Sequence, residues 1–258
     1  MIDLTGSVAL IPGASGGMGR EVARLFAEQG ADVALGYYSR EGEARAAFDY
    51  AKSLGRRARL DRVDTSTLDG VTSWVDSVTK EFGRIDILAS CVGAHLPEGF
   101  SLFTKQDPTT WRGIIDAQMM SFIYLSRAVL PQMVERKAGR LLSIGSDSGK
   151  VGESGVAVAT AGHGGLIAFA KAISLEVGRF GITANIVCPG PTEGPTLDNL
   201  RNQGTTGSKI VEELTKRVPM KRLGTSRDIA AMMVFLASKE AGYVTGQALS
   251  VSGGLVMN

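Results

Sequence analysis

The chain has 258 residues, 44% of them hydrophobic and 21% charged, with 33 glycines and a net charge of +2. That length suits one α/β domain with a sizeable core, and the near-neutral charge excludes a nucleic-acid-binding stripe or a membrane-surface face. No apolar run approaches the roughly 20 residues of a spanning helix, and "MIDLTGSVALIPG" lacks a basic segment ahead of a long apolar run, so no secretory leader is expected.

The first short aliphatic run, Val8–Pro12, precedes a helical stretch from Gly17 to Gln29. "ADVALGYY" is followed by "EGEARAAFDYAKSLG", and "RARLDRVD" by "TLDGVTSWVDSVTKEFG". "RIDILASCVG" leads into a long helical pattern from Thr109 to Arg136, and "GRLLSIGS" into another from about Val156 to Phe180. "ITANIVCPG", a loop-rich insertion, a helix near Ser226–Ala237 and a last strand "ALSV" complete the chain. This alternation predicts a single Rossmann-type doubly wound domain over residues 1–258, with about seven parallel strands and helices on both faces. Ligands bind such a sheet at the carboxyl ends of its strands. Cys91 and Cys188 have no metal-ligand spacing and lie in apolar segments, which reads as reduced buried thiols in a cytoplasmic protein, with no metal site.

"PGASGGMGR" opens the first predicted helix. Gly13, Gly17 and Gly19 allow a tight turn, and Ser15, Met18 and the helix N-terminus around them present N–H groups and a positive partial charge to a diphosphate. The position between strand and helix in a βαβ unit is what gives the motif its specificity. The end of the second strand, Tyr38-Ser39-Arg40, has no carboxylate before Glu41. Arg40 suits a 2′-phosphate and Ser39 a hydrogen bond to it, which favours NADP(H) over NAD(H). Arg40 as the cap of a solvated helix is the alternative. Asp64, with Thr65, suits an adenine amino group, although a plain surface Asp would look the same.

The glycine motif, "DILASCVG", "GRLLSIGS" and "ITANIVCPGPT" resemble the short-chain dehydrogenase/reductase family over essentially the whole chain. More narrowly, "SDSGKVGESGVAV", "NIVCPGPT" and "TGQALSVSGGLVMN" look like the 2-hydroxycyclohexanecarboxyl-CoA dehydrogenases. The resemblance implies cofactor contacts from Cys91, Val92, Gly93, Pro189, Gly190 and Thr192. It also implies carbonyl/alcohol interconversion by hydride transfer, with the proton donated by a Tyr that a Lys four residues on activates. A free Tyr titrates near 10 and matches neutral pH poorly without such a cation.

Here the pattern departs from the family. Ser146 holds the serine position, but the tyrosine position is Ala159, the lysine position His163 and the asparagine position Gln118. Pro12, Ser90-Cys91 and Gly194 also differ, and no tyrosine lies between Tyr124 and Tyr243. His163 is one turn from Ala159 on the same helical face, so either it or a water is expected to replace the phenol, and it equally suits a ribose contact. His95, in the loop after the fourth strand, is a second proton candidate or an ordinary exposed histidine. Three readings stand: an oxidoreductase for a cyclic or acyl-CoA hydroxy/keto substrate, a non-redox isomerase, cyclase, hydratase or lyase using the same pocket, and an inactive dinucleotide-binding or partner subunit. The family's subunit interface implies a homodimer or homotetramer through the helices at 109–136 and 156–180. The variable segment near 191–208 carries no readable recognition pattern.

Overall fold

A computed structural model of the chain describes residues 2–94, 100–202 and 204–257. Its seven strands are β1 (Val8–Pro12), β2 (Asp32–Tyr37), β3 (Ala58–Arg62), β4 (Ile87–Ser90), β5 (Gly139–Ile144), β6 (Ile182–Pro189) and β7 (Ala248–Val251). They form one parallel sheet in the order β3-β2-β1-β4-β5-β6-β7. The chain steps outward from β1 to β3, then returns to place β4 on the other side of β1. Connections leaving β1 and β4 therefore diverge and open a crevice at the carboxyl edge.

Period-two alternation in β1 divides its side chains between two cores. Ala9 and Ile11 meet Val22 and Phe26 of α1 (Gly17–Glu28) and Ile229 and Met233 of α10 (Ser226–Ala237) on one face. Val8 and Leu10 meet Trp74 of α3 (Leu68–Phe82), Phe122 of α5 (Ser121–Arg136) and Leu166 of α7 (Ala157–Val177) on the other. Each such aliphatic side chain contributes roughly 1.5–3 kcal/mol by leaving water. Helix starts follow local chemistry. The Thr67 hydroxyl accepts from Gly70 N at the head of α3, and Thr225 and Asp228 cap α10 reciprocally. By length and composition α7 and its last turn could cross a membrane; its Leu166, Ile167, Ala170 and Val177 are buried in the second core, while Leu175 is exposed.

Three boundaries differ from the sequence pattern. The predicted helix from Thr109 to Arg136 is α4 (Pro108–Ile115) and α5 joined through a π-helical stretch, Asp116–Met120. The predicted Val156–Phe180 helix ends in a 3₁₀ turn, Gly178–Phe180. The Glu193–Ser208 segment, read as loop, contains α8 (Pro195–Arg201) and the start of α9 (Thr205–Arg217). Pro195 sits in the first turn of α8, where its missing N–H costs nothing. Leu197 and Leu200 of α8 bury against Val211 of α9 and Leu223, forming a small satellite core. Two apolar residues on a seven-residue helix are too few to stand out among Gly, Thr and Asn.

Candidate active site

The crevice between β1 and β4 is bordered by the glycine turn. Gly13 has φ +80°, and a Cβ there would collide with the Cys91 carbonyl. A Cβ at Gly19 would collide with the Gly13 carbonyl. The turn is held by Ala14 N donating to Gly36 O at 2.9 Å and Gly16 N to Gly13 O at 3.1 Å. Gly16, the residue before α1, supplies no side-chain cap. Ser15, Gly17 and Met18 are half-buried along this turn. These are the features a diphosphate requires: a close backbone approach and an uncapped start of a twelve-residue helix.

Tyr38, Ser39 and Arg40 are exposed just past β2. Glu41, the first carboxylate, is engaged by the Arg45 guanidinium at 2.7 Å and the Tyr37 hydroxyl at 2.8 Å, and these bonds hold its carboxyl below the usual range. Arg62 donates through Nε to Tyr38 O at 3.1 Å and lies over the Tyr38 ring. Sequence reading missed Arg62; its signal is the register Tyr37↔Arg62, which sets it beside Arg40's strand end. Asp64 is exposed and accepts from Ser66 N and Oγ at 2.9 and 2.7 Å, while Thr65 is half-buried next to it. Across the crevice, Cys91 N donates to Pro12 O at 2.9 Å, which draws the Cys91-Val92-Gly93 segment against the glycine turn. Burial pushes the Cys91 thiol up to about 12, so it is not a thiolate at neutral pH.

Past β5 and β6 lie the remaining candidates. Ser146 Oγ accepts from Ser148 N at 3.2 Å, a local turn bond that orients the hydroxyl. The Asp147 amide donates to Pro189 O at 3.4 Å, joining the two strand ends. Gly190 N donates to Val251 O at 3.2 Å, and a Cβ on Gly190 would lie 2.6 Å from that of Ser252. Thr192 Oγ1 donates to Gly190 O at 2.9 Å. Ala159 is 5% exposed and packs with Ile114, Val156, Val158 and Ala94, so an apolar patch occupies the start of α7.

One turn further, His163 is half-buried against Gly149, whose Cβ would stand 2.7 Å from the histidine Cβ. Its Nδ1 is buried with no hydrogen-bond partner among the described residues. Burial lowers its pKa to about 4. At neutral pH the ring is therefore uncharged, and it cannot act as an imidazolium acid. Gln118, in the π-helical stretch, is 7% exposed with its Oε1 also unpartnered, and it faces Gly162, the residue before His163. The structure thus brings Gln118, Ala159 and His163 together around α7; His95 lies outside the described residues.

A family profile described as enoyl-(acyl carrier protein) reductase matches residues 13–256. The 3-oxoacyl-(acyl-carrier-protein) reductase FabG of Vibrio cholerae serotype O1 is 35% identical over 256 residues, covering 99% of this chain and 100% of that protein. The protein of the same name from Escherichia coli K12 shows the same identity and coverage. That from Chlamydia muridarum is 34% identical over 257 residues, covering 98% of each chain.

Proposed function

The chain belongs to the short-chain dehydrogenase/reductase family of oxidoreductases, and on that premise we propose that it binds NADP(H) and interconverts a keto and a hydroxy group on an acyl thioester, with water rather than a side chain handling the proton. The observation that carries the reading is the glycine turn packed without room for a Cβ against Cys91, at the crevice where the strand order reverses. Bound there, the dinucleotide supplies the hydride. Gly13, Ser15, Gly17, Met18 and Gly19 receive the diphosphate, and Ser39, Arg40 and Arg62, with Tyr38 as platform, receive the 2′-phosphate. Asp64 and Thr65 would hold the adenine, Cys91, Val92 and Gly93 would contact the adjoining ribose, and Pro189, Gly190 and Thr192 would hold the nicotinamide end.

Ser146 binds the substrate oxygen. Ala159 has no proton to give, and His163, kept neutral by burial, hydrogen-bonds a ribose hydroxyl instead of donating as an acid. A positioned acid accelerates such steps by roughly 10²–10⁴-fold, so turnover is slow compared with a member that has the Tyr and Lys. Positioning and charge stabilisation still act without that pair. The relatives' names point to a 3-oxoacyl thioester, and the cyclic hydroxyacyl-CoA class is the second substrate to assay. The 191–208 segment, with α8 and the start of α9, borders the substrate. The protein acts in the cytoplasm as a homo-oligomer through its 109–136 and 156–180 helices; Leu175, 87% exposed on α7, is the surface this assembly covers.

A second reading, dinucleotide binding without turnover, is favoured by the apolar packing at Ala159. One experiment separates them: titrate NADPH by fluorescence, then follow NADPH oxidation with acetoacetyl-CoA and NADP⁺ reduction with a cyclic hydroxyacyl-CoA. Saturable binding with slow turnover supports the first reading, binding alone supports the second, and no binding overturns both.

A further inference from the structure

A buried polar chain lies behind the Ser146 turn. Lys150 in α6 (Ser148–Val151) donates through Nζ to Ser250 Oγ in β7 at 2.7 Å, and Ser250 donates to Asp147 Oδ1 at 2.6 Å. Lys150 Nζ also stands 4.0 Å from Asp147 Oδ1, with side-chain exposures of 10% and 7%. Asp147 Oδ2 is buried and makes no well-aligned hydrogen bond among the described residues, although the Ser252 hydroxyl lies near enough to favour the carboxylate. Removing two charges from water costs several kcal/mol per ion, and an apolar pair of similar volume often stabilises a fold as well or better. Bare fold stability is therefore a poor reason for this arrangement. Its location supplies a better one. Asp147 follows Ser146 directly, its amide holds Pro189 O, and Ser250 lies one residue before Val251, whose carbonyl holds Gly190 N. The chain spans the two turns that carry Ser146 and Pro189–Gly190.

We propose that Lys150, acting through Ser250 on Asp147, is a positioning residue that fixes the Ser146 turn against the Pro189–Gly190 turn at the nicotinamide end of the pocket. The assignment of those turns to the pocket rests on the reading under Proposed function. With Lys150 present, the Asp147 carboxylate has a cation and the two turns share one geometry. Without it, a buried carboxylate that has lost its cation draws in water and releases the shared geometry, whereas a neutral group at that position can stay buried and keep it. Two other ionisable groups sense this pair, Cys188 on β6 and Glu153 after α6; Arg217 on α9 acts on Glu153, and His163 on α7 packs against Gly149 beside Lys150. The Cys188 thiol is pushed up to about 12 and stays protonated throughout the test range.

The test uses the whole protein and compares wild type with Lys150→Met, Lys150→Arg and the double variant Lys150→Met/Asp147→Asn, with Glu153→Gln as a control for the neighbouring carboxylate. NADPH affinity is measured from pH 6 to 8, thermal midpoints are recorded alongside, and amide hydrogen exchange is followed at Ser148, Gly149 and Gly190. Lys150→Met is expected to weaken NADPH about tenfold at pH 8 and by less toward pH 6, because burial raises the Asp147 pKa and a lower pH favours its neutral form. Lys150→Arg and the neutral double variant are expected to recover most of the affinity, and Glu153→Gln to leave the profile unchanged. A lowered midpoint with unchanged affinity at every pH, or a loss that Asp147→Asn does not repair, overturns the inference and leaves a structural clip. If wild type binds no dinucleotide, the functional reading fails by itself and the exchange data decide. Faster exchange confined to Lys150→Met supports the inference, and unchanged exchange overturns it.

Discussion

If Ala159 and His163 stand where the proposed reaction would use a Tyr and a Lys, the double variant Ala159→Tyr with His163→Lys tests how much of the site is built for hydride transfer. The new ammonium replaces a ring that burial keeps neutral, with a pKa of about 4, and a cation one turn away is what brings a phenol toward neutral pH. The gain from a positioned acid is roughly 10²–10⁴-fold, which corresponds to about 3–5 kcal/mol of barrier. Against it stands the packing around Ala159, which is 5% exposed among Ile114, Val156, Val158 and Ala94. Forcing a ring into that patch costs about 1–3 kcal/mol of stability, a loss that leaves the barrier untouched if the protein still folds. The expected outcome is a lower thermal midpoint and at least a hundredfold rise in NADPH-dependent acetoacetyl-CoA reduction. The assay is single-turnover NADPH oxidation at saturating dinucleotide, which isolates the chemical step from product release. A folded double variant that binds NADPH as wild type does, yet reduces no faster, would refute the reasoning that only the proton donor is missing.

Changing Arg40 and Arg62 together to Ala removes the charge-assisted partners of a 2′-phosphate, each worth about 1.5–3 kcal/mol. NADPH affinity should fall at least tenfold while NADH affinity barely changes, as paired titrations would reveal. His163 makes stability pH-dependent. Its folded pKa, about 4, lies below the ordinary 6.5, so the unfolded chain takes up the proton first. Its stabilising contribution is intact above about pH 6.5 and is lost as pH falls toward about 4, reaching about 2 kcal/mol of loss by pH 5. Urea midpoints at pH 7 and 5 should therefore draw closer together in His163→Gln. Thr225→Ala removes the cap of α10 and should cost about 1 kcal/mol, seen as a lower urea midpoint with NADPH affinity unchanged; an unchanged midpoint would show that the cap adds nothing.

The sheet and the glycine turn were legible in the sequence for a physical reason. Strands buried on both faces, such as "VALIP" and "ITANIVCP", read as unbroken apolar runs, and only glycine fits where Gly13 meets Cys91. Other features depend on tertiary placement. Arg62 meets Tyr38 only through strand register, and Lys150 finds Ser250 a hundred positions away. The neutrality of His163 comes from burial beneath Gly149 and α6, which a helical pattern cannot report. The helices α8 and α9 escaped because their apolar residues bury against each other and Leu223 rather than against the sheet.

The claim everything else depends on is that a dinucleotide shelf persists beside a site with no side-chain acid. NADPH fluorescence titration of wild type against Gly13→Ala tests it most directly, because a methyl at Gly13 meets the Cys91 backbone and a left-handed φ at once. Saturable one-to-one binding by wild type is expected, with its loss in a Gly13→Ala variant that circular dichroism shows to be folded. Wild type that fails to bind NADPH, or a folded Gly13→Ala that binds it equally well, contradicts the account.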